Sequence, residues 1–373
     1  MLSDLDALMH ARKIDVVIVP MHESIHSSFR WLARGAKVTW GYAVKFADRD
    51  PMIVTYPMER DEAAASGLEV RLVTDYVPLP DSAEALAKLF EAIAGDAKTI
   101  GFYGNVPIHL FAGVIEFLGH RVYRANGEDL IQLARKRKDA REIELIRSVG
   151  ARTEEVVDEV REALRAWKPG LKLGDLKAIV RDGIAKRDML EDHDTILSQG
   201  RDAGVPHSRG DANALVEPSS PIVLDIFPVD RESGYFFDMT RTFCIGEVPD
   251  ELRQMHAHVL EAFERARDAT RPNTPSMDYQ NLVSDFFEGL GYPTTRKNPK
   301  TVEGFLHGLG HGVGLDIHEK PSRNDMVEVG DVITIEPGLY FPDRGIGIRI
   351  EDTFEVTENG VETMCRSSYG LEP

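Results

Sequence analysis

The sequence predicts two domains of different class: an α/β domain over residues 1–136, then a larger α+β domain over residues 137–373 built on an antiparallel sheet. Three observations predict this. A chain of 373 residues is longer than a single core usually organises. Short apolar runs alternate with helical patterns as far as residue 125, as in an α/β domain. Beyond a basic stretch, "ARKRKDAR" (134–141), long helices alternate with strand-like pieces.

Five strands are expected in the first domain: "DVVIVP" (15–20), "MIVTYP" (52–57), "LEVRLVT" (68–74), "TIGFYG" (99–104) and "HRVYRA" (120–125). Two helices lie among them. "SAEALAKLFEAIAG" (82–95) has Ser82 as N-cap and Gly95 at its end, and "PIHLFAGVIEFLG" (107–119) has Pro107 at its start. The boundary is placed near residue 136, and a long helical pattern from about 139 to 167 stops at "KPG". Further helices are expected at 173–189, 250–270 and 276–290, with strands at 221–227, 235–246, 331–336 and 346–357.

Composition narrows the function. The net charge of -18 argues against nucleic-acid binding, which needs a basic footprint. No apolar run approaches the ~18 residues that span a bilayer. The N-terminus, "MLSDLDALMH", lacks the basic and apolar regions of a signal peptide, so a soluble cytoplasmic protein with no membrane partner is expected. Cys244 and Cys365 form no C-x-x-C and are read as reduced structural thiols.

The chemistry lies in the second half. In "PIVLDIFPVDRESGYFFDMTRTF" (221–243) an apolar strand ends in Asp225, a polar turn follows, and a second strand carries Asp238. A hairpin can put both carboxylates on one face, where their burial is costly without a cation. "HGLGHGVGLDIHE" (307–319) interleaves His307, His311 and His318 with glycines. No G-x-G-x-x-G register fits it, which removes a dinucleotide reading. "DVITIEPGLY" (331–340) delivers Glu336 into an apolar setting before a Pro-Gly turn. "GIGIRIEDTFEVT" (345–357) sets Glu351 among isoleucines, with Arg349 two residues earlier on the same face. Four carboxylates and one imidazole are too oxygen-rich for a structural zinc site. They suit two hard or borderline divalent ions.

The first domain offers a rival signal. Residues 22–26, "HESIH", are a literal H-E-x-x-H. As a zinc motif this needs a helix and a third ligand. It follows a strand and lies in the other domain from the carboxylates. The reading is domain surface, with His22 or His26 reaching a substrate as the alternative.

The stretches "DMTRTF", "HGLGHGVGLDIHE", "TIEPGLY" and "IRIED" resemble the pita-bread metallopeptidases: methionine aminopeptidase, aminopeptidase P and prolidase, with creatinase as a metal-free relative. The resemblance implies a pita-bread catalytic domain preceded by a creatinase-type N-terminal domain. It implies Asp225, Asp238, His311, Glu336 and Glu351 as ligands of two divalent ions, manganese first, with cobalt or zinc as alternatives. Asp238 and Glu351 would bridge the ions. His207, in "VPHSRGD", and His318 match substrate-site histidines, and His307 resembles the proline-specific members. The family sets its two aspartates eleven apart, whereas here the gap is thirteen. Asp230 is therefore a rival first ligand; Asp225 is preferred because it ends the apolar strand, and the turn is read as two residues longer.

The resulting expectation is hydrolysis of the Xaa-Pro bond of a di- or oligopeptide by a metal-bridging hydroxide. Glu336 is the expected proton shuttle and His318 a donor to the oxyanion. His207 and His307 would shape the proline pocket, Arg349 would bind a substrate carboxylate or a domain-closing acid, and Tyr340 would belong to the same wall. Dipeptidase and aminopeptidase both remain open. So do hydrolysis of a non-peptide C–N bond on the same scaffold and a non-catalytic peptide-binding module. The resemblance also suggests a homodimer.

Overall fold

The computed structural model of the protein describes residues 1–23 and 26–373. The described residues divide into two compact units, Met1–Arg135 and Lys136–Pro373.

The first unit runs α1 (Leu2–Arg12), β1 (Val16–His22), α2 (Ser27–Leu32), β2 (Trp40–Phe46), β3 (Met52–Thr55), α3 (Arg60–Ala64), β4 (Glu69–Leu72), α4 (Ala83–Ala94), β5 (Ile100–Phe102), α5 (Ile108–Leu118) and α6 (Leu130–Ala134). Its mixed sheet has the order β4-β3-β2-β1-β5. β1 lies antiparallel to β2 and parallel to β5. The run Val16–Val19 is apolar throughout because both faces are covered. Val17 and Val19 pack with Leu5, Met9 and Phe29, while Val16 and Ile18 pack with Leu89, Phe90 and Val114.

One strand was not expected, and one expected strand needs correction. "WGYAVKF" forms a strand, β2, that the apolar pattern did not announce. Lys45 interrupts the pattern, yet its side chain is 1% exposed because its ammonium pairs with Asp6. Conversely, "HRVYRA" gives only an isolated bridge between Val122 and Ile100. Arg121 instead turns back onto the carbonyls of Gly95 and Ala97.

Of the H-E-x-x-H stretch, Ser24 and Ile25 lie outside the described residues. His22 packs edge-on against Trp40, with ring centroids 4.0 Å apart. His26 is the N-cap of α2, accepting from Phe29 N at 3.3 Å, and its Nε2 lies 2.7 Å from Pro20 O. His26 is therefore a half-buried capping residue rather than plain surface.

The second unit begins with α7 (Ala140–Arg165), capped by Asp139, and α8 (Leu173–Lys186). There follow β6 (Met189–Leu190), β7 (Ile196–Gln199), β8 (Ile222–Ile226), β9 (Val229–Asp230), β10 (Met239–Phe243), α9 (Asp250–Ala269), β11 (Thr274–Pro275), α10 (Ser276–Gly289) and β12 (Met326–Val327). The chain ends with β13 (Val332–Ile335), β14 (Gly338–Phe341), β15 (Ile346–Arg349), β16 (Asp352–Thr357) and β17 (Gly360–Thr363). The ladders are β10-β8-β7, β13-β16-β17 and β14-β15, all antiparallel. Val259, Phe263 and Phe287 of α9 and α10 pack on Ile335, Ile348 and Phe354 of the sheets.

Three boundaries differ from the sequence expectation. The helix expected to reach 189 stops at Lys186, where Asp188 adopts φ 54° and sends Met189 into β6. The strand expected from 235 starts at Met239. The strand expected over 346–357 splits, and Glu351 at the break bridges Thr240 of β10. Cys244 and Cys365 are free and buried. Among the described residues, no helix is long and apolar enough to cross a membrane.

Candidate metal centre

A cavity of about 490 Å³ in the second unit is lined by Asp225, Asp238, His311, Glu336 and Glu351, together with His207, His307, His318 and Arg349. Strand geometry sets the first pair. Asp225 is the penultimate residue of β8 and lies opposite Thr240 of β10. Asp238 precedes Thr240 by two positions and so shares its face with Asp225.

A short ladder sets the second pair. Glu336 N donates to Leu309 O and Thr334 N to His311 O, each at 2.8 Å. His311 N donates to Thr334 Oγ1 at 3.1 Å. The approach is too close for side chains between the histidines. A Cβ on Gly310 would sit 2.1 Å from Thr334 O, and one on Gly312 would sit 2.1 Å from Lys320 O.

One donor atom each from Asp238, His311 and Glu351 lie within 4.8 Å of one another. His311 Nε2 is 3.6 Å from both an Asp238 oxygen and a Glu336 oxygen. Its Nδ1 is 3.1 Å from Gly312 O, which assigns the proton to Nδ1 and leaves Nε2 as the lone-pair donor facing the carboxylates. Asp230 is elsewhere: it pairs with Arg152 at 2.8 Å and accepts from Ser233.

Arg349 is enclosed, with 3% side-chain exposure. It donates to Asp225 Oδ2 at 2.5 Å, Thr240 Oγ1 at 3.0 Å, Tyr340 Oη at 2.8 Å and Pro206 O at 3.2 Å. Thr240 passes the order on, donating to Glu351 Oε2 at 2.7 Å. These contacts revise two expectations. Arg349 is spent on protein groups and orients two carboxylates. Tyr340, fully buried, stands behind the wall, and its hydroxyl lies 2.8 Å from His307 Nε2. Both nitrogens of His307 are committed, because its Nδ1 lies 2.8 Å from Gly308 O. What His307 offers the cavity is therefore ring surface. His207 and His318 are exposed at the cavity, and the His318 ring centroid is 4.3 Å from that of His311.

Sequence reasoning missed Thr240 and two lysines. Lys138 pairs with Glu319 at 2.5 Å, both side chains 1% exposed, and Lys136 pairs with Asp331 at 2.8 Å. Glu319 follows His318, and Asp331 begins the strand that leads to Glu336. The "ARKRKDAR" stretch therefore braces the back of the centre. The signal for Thr240 was its period-two spacing from Asp238.

Burial, reinforced by neighbouring carboxylates, holds Asp238 and Glu351 well above the usual carboxylate range. Burial pushes Glu336 up to about 8 despite the opposing charge of Arg349. Burial also lowers His311 to about 3, helped by His318, so its imidazole is neutral. Asp225 Oδ1, Asp238 Oδ1 and Glu351 Oε1 are buried with no hydrogen-bond partner. Three orphaned carboxylate oxygens around a neutral imidazole fit a site for divalent cations.

A pH dependence follows. Without metal, the raised carboxyls cost nothing where folded and unfolded chains are both protonated. The cost grows as pH rises from their ordinary range toward 8, and a bound cation removes it. Mn²⁺ should raise the melting temperature by roughly 5–10 °C more at pH 8 than at pH 5. Equal shifts at the two pH values would contradict this.

A family model described as metallopeptidase family M24 matches residues 144–358. A curated Xaa-Pro dipeptidase of Pyrococcus furiosus is 31% identical over 291 residues, 75% of this chain and 77% of that protein. The prolidase from Pyrococcus horikoshii OT3 superposes with a TM-score of 0.81 at 21% identity, covering 99% of both chains. The X-Pro aminopeptidase from Thermotoga maritima superposes with 0.79 at 24% identity, covering 100% of this chain and 99% of that one. At these identities the two structures speak for the fold, which is the pita-bread architecture expected of the catalytic domain.

Proposed function

The chain belongs to metallopeptidase family M24, and from that premise we propose that it hydrolyses the peptide bond before proline with two divalent ions, manganese first among them. The observation that carries the reading is the convergence of Asp225, Asp238, His311, Glu336 and Glu351 on one cavity, three of them with an orphaned buried oxygen. These five residues would hold the ions. When bound, such ions supply Lewis-acid polarisation and lower the pKa of water.

The chain's own groups do the rest. Glu336 accepts a proton from the attacking water and delivers it to the departing proline nitrogen. His318, whose imidazole burial holds below its ordinary range, stays neutral and donates a hydrogen bond to the developing oxyanion. Arg349 and Thr240 fix Asp225 and Glu351 in place. The Xaa-Pro amide carries no N–H, so recognition rests on shape. The His307 ring, immobilised by Tyr340 and Gly308, supplies apolar surface for the pyrrolidine, and the exposed His207 lines the same cavity.

The test is a panel of Ala-Pro, Ala-Ala and Pro-Ala offered to Mn²⁺-loaded protein. Ala-Pro should turn over at least ~100-fold faster than the other two. A metal-loaded protein that leaves Ala-Pro intact would sink the proposal.

A further inference from the structure

The charges lining the cavity fall into three sets. Asp225, Asp238, Glu336 and Glu351 face the proposed metal centre. Arg349 is consumed by protein partners. What remains is Arg209 and Asp194, which also line the cavity and pair with each other at 2.8 Å.

This pair is built differently from the enclosed Arg349. Its side chains are 57% and 74% exposed, and a solvated pair of this kind exchanges partners cheaply. The backbone beneath it is fixed. Lys177 Nζ, from α8, donates to Arg209 O at 2.5 Å and to Gly210 O at 3.3 Å. Gly210 itself has φ 71° and lies so close to β7 that a Cβ would meet Leu197 O at 2.4 Å. Arg209 is thus a solvent-exposed guanidinium on an anchored stem. Of the two arginines that line the cavity, it is the one whose guanidinium is open to solvent.

Resting on the Xaa-Pro reading, we propose that Arg209 receives the free α-carboxylate of the substrate's proline, with Asp194 holding the guanidinium until the substrate displaces it. A guanidinium binds a carboxylate through two parallel N–H donors, and a longer peptide has no carboxylate at that position. The enzyme is then a dipeptidase by charge selection rather than by a closed wall. The exchange is one carboxylate for another and forms no covalent bond.

Ala-Pro and Ala-Pro-amide differ only in that carboxylate, so their ratio of kcat/KM reads the contact. In the wild type the ratio should favour Ala-Pro by at least about tenfold. Arg209→Met should cut the ratio by about tenfold, mainly through KM for Ala-Pro. Arg209→Lys should recover part of it, and Asp194→Asn should raise it. Arg209 is exposed, so an unchanged melting temperature is expected and confirms folding. A ratio unmoved by Arg209→Met would overturn the proposal while leaving Xaa-Pro hydrolysis intact. Failure of the wild type to cleave either substrate would overturn both.

Discussion

Asp238→Asn should strip the protein of its metal and of its hydrolytic activity while leaving it folded. Asp238 sits where β10 begins, 4% exposed, with His311 Nε2 at 3.6 Å. Its Oδ1 has no hydrogen-bond partner, and burial and Asp225 hold the carboxyl well above its usual range. A group like this destabilises the metal-free fold when ionised, so the uncharged isostere should melt no lower than the stripped wild type. The same change removes one of the five residues proposed to hold the ions. Mn²⁺ affinity should fall by at least about 100-fold, more than loss of an outer partner costs. Turnover of Ala-Pro should fall by about 1,000-fold or more. Bound metal is measured on desalted protein. A variant that retains wild-type metal would remove Asp238 from the centre.

Lys138→Met should lower stability by about 3–5 kcal/mol, the usual cost of removing one partner from a buried ion pair. Lys138 and Glu319 are each 1% exposed, so water does not readily replace the lost ammonium. The space is also confined, since a Cβ on Gly314 would lie 2.1 Å from Glu319 Oε1. Glu319 N and O both bond to Gly312, so the loop that carries His318 rests on this carboxylate. Chemical denaturation reads the loss. Lys138→Met combined with Glu319→Gln should recover most of it, because the double variant buries no charge. If the single variant is as stable as wild type, the pair is not a structural brace.

The residues proposed as ligands drew attention because a carboxylate within an apolar strand has few innocent explanations. Asp225, Glu336 and Glu351 stand out against Ile, Val and Thr neighbours, and the Gly-interleaved histidines announce a close backbone approach. Choosing between Asp225 and Asp230 was also possible from local pattern, since only Asp225 continues the apolar run. The roles of Arg349, Tyr340 and His307 were not legible. Arg349 reaches partners 124 and 143 positions away, and nothing local reveals that its donors are consumed. The buried Lys138 was hidden for a related reason. In sequence it belongs to a basic boundary segment, and only tertiary structure supplies Glu319. β2 was not among the expected strands, and the strand expected at 120–125 is reduced to one bridge, from Val122 to Ile100.

The central claim is that one cavity holds two divalent ions and uses them on the bond before proline. Its most direct test is a titration of Mn²⁺ into metal-stripped protein, with bound metal and Ala-Pro hydrolysis followed in the same samples. The account predicts no hydrolysis without metal, saturation at two equivalents per chain, and activity that rises with occupancy. Full hydrolysis by the stripped protein, or binding that saturates at one equivalent or fewer, would contradict it.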